Sequence, residues 1–133
     1  MDYRYLVDEA FKASKHAYIP YSHFPVGACI ELKDGTFIHG CNIENAAYGT
    51  TMCAERNAVF GAYCRGYHKE DIKALAIVGE GPKLISPCGA CRQALAELLD
   101  PLTPVILGSH DYYEVTNMKK LMPRMFLGED LYV

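Results

Sequence analysis

Two short segments constrain this chain more than anything else in it: Cys53-Ala54-Glu55-Arg56 and Pro87-Cys88-Gly89-Ala90-Cys91-Arg92. Cys88 and Cys91 stand three apart, so on a helix they project from one face. Cys53 is remote in the chain, and a fold that carries it to the pair collects three thiolates at one point. A catalytic zinc site keeps three protein ligands and leaves the fourth position to water. Glu55 is too close to Cys53 to make a comfortable fourth ligand, yet close enough to reach a metal-bound water. The pattern therefore predicts one Zn2+ per chain held by Cys53, Cys88 and Cys91, with Glu55 as the catalytic proton carrier.

Both segments stand where a loop enters a helix. Helix N-termini carry unpaired N–H groups and about half a positive charge, which favours thiolates. Three thiolates and a hydroxide against one dication sum to about −2, and two helix termini offset about half of that. Arg56 and Arg92, each beside a metal segment, could donate to the sulfurs; surface ion pairs are the plainer alternative for both. A closed four-cysteine site, with Cys41 or Cys64 as fourth ligand, is the competing metal reading. It leaves Glu55 unexplained, and structural zinc usually shows paired Cys-x-x-Cys knuckles, of which only one is present.

With 133 residues, 50% hydrophobic and 22% charged, the chain suits one domain, residues 1–133, with a real core. No apolar run approaches the roughly 20 residues a spanning helix needs. The start, Met1-Asp2-Tyr3-Arg4, shows no signal-peptide pattern, so a cytoplasmic location is expected, and the six cysteines read as metal ligands or buried hydrophobes rather than disulfides. Net charge is −3 without a basic stripe, which argues against nucleic acid as partner.

Apolar spacing predicts a first helix over Tyr3–Tyr18, stopped by Pro20. Val26–Leu32 and Phe37–Cys41 read as strands joined by a turn at Asp34-Gly35. Asn42–Met52 reads as a functional loop, and a second helix is expected from Thr51 to Arg65, ended by Gly66. Ile72–Val78 lacks alternation, as a strand covered on both faces does. A third helix is expected from Pro87-Cys88 to Leu99, then strands at Val105–Leu107 and Tyr113–Thr116 and a short turn at Met118–Met122. This order predicts a three-layer α/β/α domain.

The sequence resembles the small, homo-oligomeric cytidine deaminases over nearly its whole length. Four collinear blocks carry the resemblance: Tyr18-Ile19-Pro20-Tyr21-Ser22-His23-Phe24-Pro25-Val26-Gly27-Ala28, Gly40-Cys41-Asn42-Ile43-Glu44-Asn45-Ala46-Ala47-Tyr48, and the two metal segments. The resemblance implies a five-stranded mixed sheet and hydrolytic deamination of cytidine and deoxycytidine in pyrimidine salvage. It implies a homotetramer whose subunits share active sites, with Tyr48 and Phe126 reaching a neighbour's site. It assigns Asn42 and Glu44 to the ribose, Phe24 to stacking on the base, the Ala54 N–H to the base carbonyl, the Ser86 carbonyl to the leaving amine, Ala46 to the substrate pocket, and Arg56 to the sulfurs. Taken on their residue types alone, Asn42 and Glu44 could equally cap a loop, and Phe24 could be core. The alternative substrates are a cytosine-bearing antibiotic nucleoside, whose deaminases lack the full Asn-x-Glu pair, and cytosine in nucleic acid, which needs a basic channel. The non-enzyme alternative is the structural zinc module.

Overall fold

The computed structural model describes residues 2–131. Five strands form one mixed sheet in the order β2-β1-β3-β4-β5. They are β1 (Val26–Leu32), β2 (Phe37–Cys41), β3 (Ile72–Gly79), β4 (Val105–Gly108) and β5 (Tyr113–Thr116). β1 runs antiparallel to both β2 and β3. β3 and β4 are parallel, so their connection must cross over, and it does so through a helix. β5 returns antiparallel at the edge. The Asp34-Gly35 turn closes the first hairpin, with Gly35 at φ +91°, a conformation that costs glycine nothing.

Helices cover both faces, and each face has its own apolar cluster. α1 (Arg4–Ser14) buries Leu6, Val7, Ala10 and Phe11 against Cys29, Ala76, Val78 and Ile106. α2 (Ala54–Cys64) and α3 (Gly89–Leu98) cover the other face, packing Ala58, Val59 and Leu95 against Ile30, Leu75 and Ile77. The expected three-layer architecture with a five-stranded mixed sheet is what forms. Two strand glycines let backbones meet. A Cβ at Gly27 would collide with the Ala10 carbonyl of α1, and one at Gly40 would fall 2.6 Å from the Ala58 nitrogen of α2.

Three helix ends differ from expectation, each for a tertiary reason. α1 stops at Ser14, whose hydroxyl donates to the Phe11 carbonyl at 2.7 Å. Tyr18 is drawn instead into a bridge with Ile43, its N–H on the Asn42 carbonyl and its own carbonyl taking the Glu44 N–H. α2 begins at Ala54 rather than Thr51, because Met52 pairs with Ile43 through both backbone groups and Cys53 stays extended (φ −75°, ψ 154°). α3 starts only at Gly89, with Cys88 extended ahead of it. Of the three cysteines expected to be small buried hydrophobes, Cys29 is buried, Cys41 is half-buried and Cys64 is exposed at the end of α2.

Candidate metal centre and catalytic cavity

Cys53 and Cys88 are the N-cap residues of α2 and α3, and Cys91 lies in the first turn of α3. Both helices thus aim their positive ends at one place beside the C-terminal ends of β2 and β3. The three Sγ atoms lie within 4.8 Å of one another; Cys53 to Cys88 is 3.8 Å and Cys88 to Cys91 is 3.4 Å. Tetrahedral zinc with Zn–S near 2.3 Å would set sulfurs about 3.8 Å apart, so the donor set fits the ion in chemistry and spacing. Neither Cys41 nor Cys64 joins the group, which removes the closed four-cysteine alternative. A second grouping, His68, Glu70 and Asp71, is largely exposed, and the mutual capping of His68 and Asp71 accounts for it.

The electrostatics favour a thiolate at Cys53. A hydrogen bond from the Cys91 thiol, then those from Arg56 and Cys88, bring Cys53 down to about 5 against the effect of burial. Cys91 moves up, because its proton is held by Cys53 and because it is buried opposite the Glu55 carboxyl. Arg56 Nη2 donates to Cys53 Sγ at 3.4 Å, and its Nε is buried without a partner, leaving a spare donor beside a site meant to carry several negative sulfurs. Glu55, at the start of α2, is only 4% exposed. Burial pushes its carboxyl above the usual range, the neighbouring Cys53 adds to that, and Arg56 opposes it.

Arg92 does something other than donate to sulfur. Its Nε, Nη1 and Nη2 reach the Pro87 carbonyl at 2.8 Å, the Leu121 carbonyl at 2.6 Å and the Ser86 hydroxyl at 2.6 Å. The expected contact is absent because the guanidinium folds back over the loop ahead of its own helix. Leu121, which ends the short helix α4 (Met118–Leu121), is distant in sequence, and no local signal announced it.

A cavity of about 190 Å³ joins Cys53, Ala54, Glu55, Cys88, Ser86, Asn42, Val26, Ile85, Thr51 and Met52. Pockets for drug-sized ligands run to about 300–1,000 Å³, so this one suits a single small ring and leaves anything larger at its rim. A groove of about 560 Å³ between Pro101 and Leu127 is roomier, but it is lined by none of the thiols and lacks Glu55.

Of the remaining predicted residues only Asn42 lines this cavity, and among them local bracing dominates. Asn42 accepts from the Val26 N–H and donates to the Phe24 carbonyl, both at 2.9 Å. Glu44 accepts from the N–H groups of Tyr21 and Ser22 and from the Ser22 hydroxyl, which holds its carboxyl below the usual range. Both residues therefore pin the loop over residues 21–26, whose one strained position is His23 at φ +56°. Phe24 is 39% exposed and its ring lies over Gly79 and Gly81. Ala46 is exposed. Tyr48, 78% exposed, forms a T-shaped pair with Tyr21, ring centroids 6.2 Å apart. Phe126 is exposed, its carbonyl held by Gln93 at 2.8 Å. Neither Tyr48 nor Phe126 lines the cavity of its own chain.

This end of the sheet brings three thiols that could hold a metal together with one buried carboxyl, groups of the kind a metal-dependent hydrolase uses. The description "Cytidine and deoxycytidylate deaminase zinc-binding region" belongs to a family model that matches residues 1–106. The chain is 47% identical over 133 residues to a cytidine deaminase of Halalkalibacterium halodurans, covering 98% of both chains. It is 48% identical over 132 residues to one of Sporosarcina psychrophila, covering 98% of this chain and 96% of the other. The crystal structure of a cytidine deaminase from Burkholderia pseudomallei superposes with a TM-score of 0.90 at 44% identity, over 95% of this chain and 100% of that one. The chain belongs to the cytidine and deoxycytidylate deaminase family.

Proposed function

We propose that this chain is a zinc-dependent cytidine deaminase that hydrolyses cytidine and 2'-deoxycytidine to uridine and 2'-deoxyuridine with release of ammonia. The observation that carries the reading is the buried Glu55 sharing a small cavity with three convergent thiols. Cys53, Cys88 and Cys91 would hold zinc, which supplies a water of pKa near 7. Glu55 takes a proton from the water that attacks C4 of the base and hands it to N3. It then takes the proton of the new C4 hydroxyl and delivers it to the departing amine, as the C4 carbonyl forms and the C–N bond breaks. A carboxyl raised by burial suits this double duty, since an efficient acid–base catalyst has its pKa nearer the working pH.

Around the reacting ring, the Ala54 N–H meets the base carbonyl and the Ser86 carbonyl receives the amine. Phe24 covers the ring, and Ala46 lines the approach. Asn42 and Glu44 remain the sugar-binding pair, because their carbonyl and carboxylate oxygens have lone pairs left for the ribose hydroxyls while they brace the loop. The cavity is small and neither Tyr48 nor Phe126 of the same chain lines it; a second copy of the chain would complete the site by bringing them. A homotetramer is the assembly proposed, and a light-scattering mass of one chain for the active species would end that part. The six free thiols suit a reducing compartment, and nucleoside salvage in the cytoplasm is the role proposed.

The deciding experiment follows ultraviolet absorbance when the zinc-loaded protein meets cytidine, deoxycytidine or single-stranded DNA. Loss of the cytosine band with the nucleosides and not with DNA is the expected result. No change with either nucleoside would refute the reading.

A further inference from the structure

The segment over residues 80–87 carries Ser86 to the cavity, yet among the described residues it makes no backbone–backbone hydrogen bond to the rest of the protein. Its polar ties are few. Glu80 meets the His110 ring at 3.0 Å, and the other end is held by Arg92 alone, through the Pro87 carbonyl and the Ser86 hydroxyl. Pro87 has no N–H to offer, so its carbonyl, taken by Arg92, is the one main-chain hydrogen-bonding group that residue has. Arg92 thus grips Ser86 by its hydroxyl and Pro87 by its carbonyl, one group on either side of the Ser86–Pro87 peptide. Arg92 makes no ion pair among the described residues, so its fork is committed to these acceptors and to the Leu121 carbonyl. Its neighbour Gln93 holds the Phe126 carbonyl. The first turn of α3 thus ties the C-terminal segment to the loop that borders the cavity.

We propose that Arg92 is a positioning residue for deamination: it sets the Ser86–Pro87 peptide so that the Ser86 carbonyl meets the departing amine. This rests on the cytidine deaminase reading, and the amine is what tests it. The contact strengthens as the leaving nitrogen gains positive charge, so it acts on kcat more than on KM. A hydrogen bond to a charged group is worth roughly 10- to 100-fold.

The experiment compares two nucleosides on the zinc-loaded full chain: cytidine, and pyrimidin-2-one riboside, which lacks the 4-amino group and is read as an inhibitor. Arg92→Ala is expected to lower kcat for cytidine about 10- to 100-fold, with KM and the inhibition constant of the amine-free nucleoside moved less than about threefold and zinc content unchanged. Arg92→Lys, which keeps the charge without the fork, should fall between the two. Should Arg92→Ala fail to fold, Arg92→Lys and Arg92→Gln carry the same comparison. Equal losses for both nucleosides, loss of zinc, or an unaltered kcat would overturn the proposal. A wild-type protein inert toward cytidine would overturn the functional reading instead, so the two failures are distinguishable.

Discussion

The two faces of the sheet are built with the same device and put to different use. On one, Gly27 lets α1 lie against β1; on the other, Gly40 lets α2 lie against β2. Both faces are dry and packed with aliphatic side chains. The α1 face, however, holds only Cys29, whose thiol burial pushes up to about 12, which makes it inert. The α2–α3 face ends in two helix N-termini that share one point, and there the Cys53 thiol moves the opposite way, down to about 5. The same residue type becomes filler on one face and a candidate metal ligand on the other. What differs is that burial dominates at Cys29, whereas hydrogen bonds from Cys91, Arg56 and Cys88 outweigh it at Cys53.

Four predictions test how far that asymmetry goes. The largest effect is expected at the proton carrier. Glu55→Gln should retain about one zinc per chain and lose at least roughly 100-fold in turnover. Metal analysis and steady-state kinetics on the same preparation check it, and zinc lost together with activity would make Glu55 a ligand. Next is Arg56. Arg56→Ala should weaken zinc binding about 10- to 100-fold, the usual cost of losing a group that supports metal ligands. A chelator competition reads this directly, and Arg56→Lys should recover little because a point charge does not reproduce the fork.

The third prediction sets one face against the other. Gly27→Ala and Gly40→Ala should each cost about 1–3 kcal/mol of stability through overpacking. Only Gly40→Ala should also lower zinc affinity, since it displaces the N-terminal half of α2. Thermal unfolding with and without chelator separates the two, and equal sensitivity to chelator would erase the distinction. The smallest effect concerns the rim. The Ser22 hydroxyl, followed by the Ser22 N–H, holds the Glu44 carboxyl below the usual range. A lowered folded-state pKa contributes stability that is complete above the unfolded value, near 4.3, and is lost as pH falls through the folded one. Glu44→Gln should therefore be less stable than wild type at neutral pH, the gap closing below about pH 4. A gap independent of pH would mean the brace does not depend on the charge.

Much of this protein could be read directly from its sequence, and the boundary follows the range of the interactions involved. The strands of the hairpin are legible because Asp34-Gly35 and the flanking apolar runs are local signals. The convergence of Cys53, Cys88 and Cys91 is legible because cysteines beside helix starts have few other uses in a chain without disulfides. Glu55 is legible because its offset from Cys53 places it at the start of the same helix. The tertiary structure alone decided the rest. It ended α1 at Ser14 because Tyr18 found a partner near Ile43. It delayed α2 to Ala54 because Met52 paired with that same Ile43. It gave the Arg92 fork to Pro87, Ser86 and Leu121 rather than to sulfur, and it set Asn42 and Glu44 to bracing the loop ahead of β1. In each case a polar group had several chemically equivalent partners, and its own sequence neighbourhood did not rank them. Folding ranked them, because a buried hydrogen-bonding group left without a partner costs about 1–3 kcal/mol and takes the acceptor that packing brings within reach.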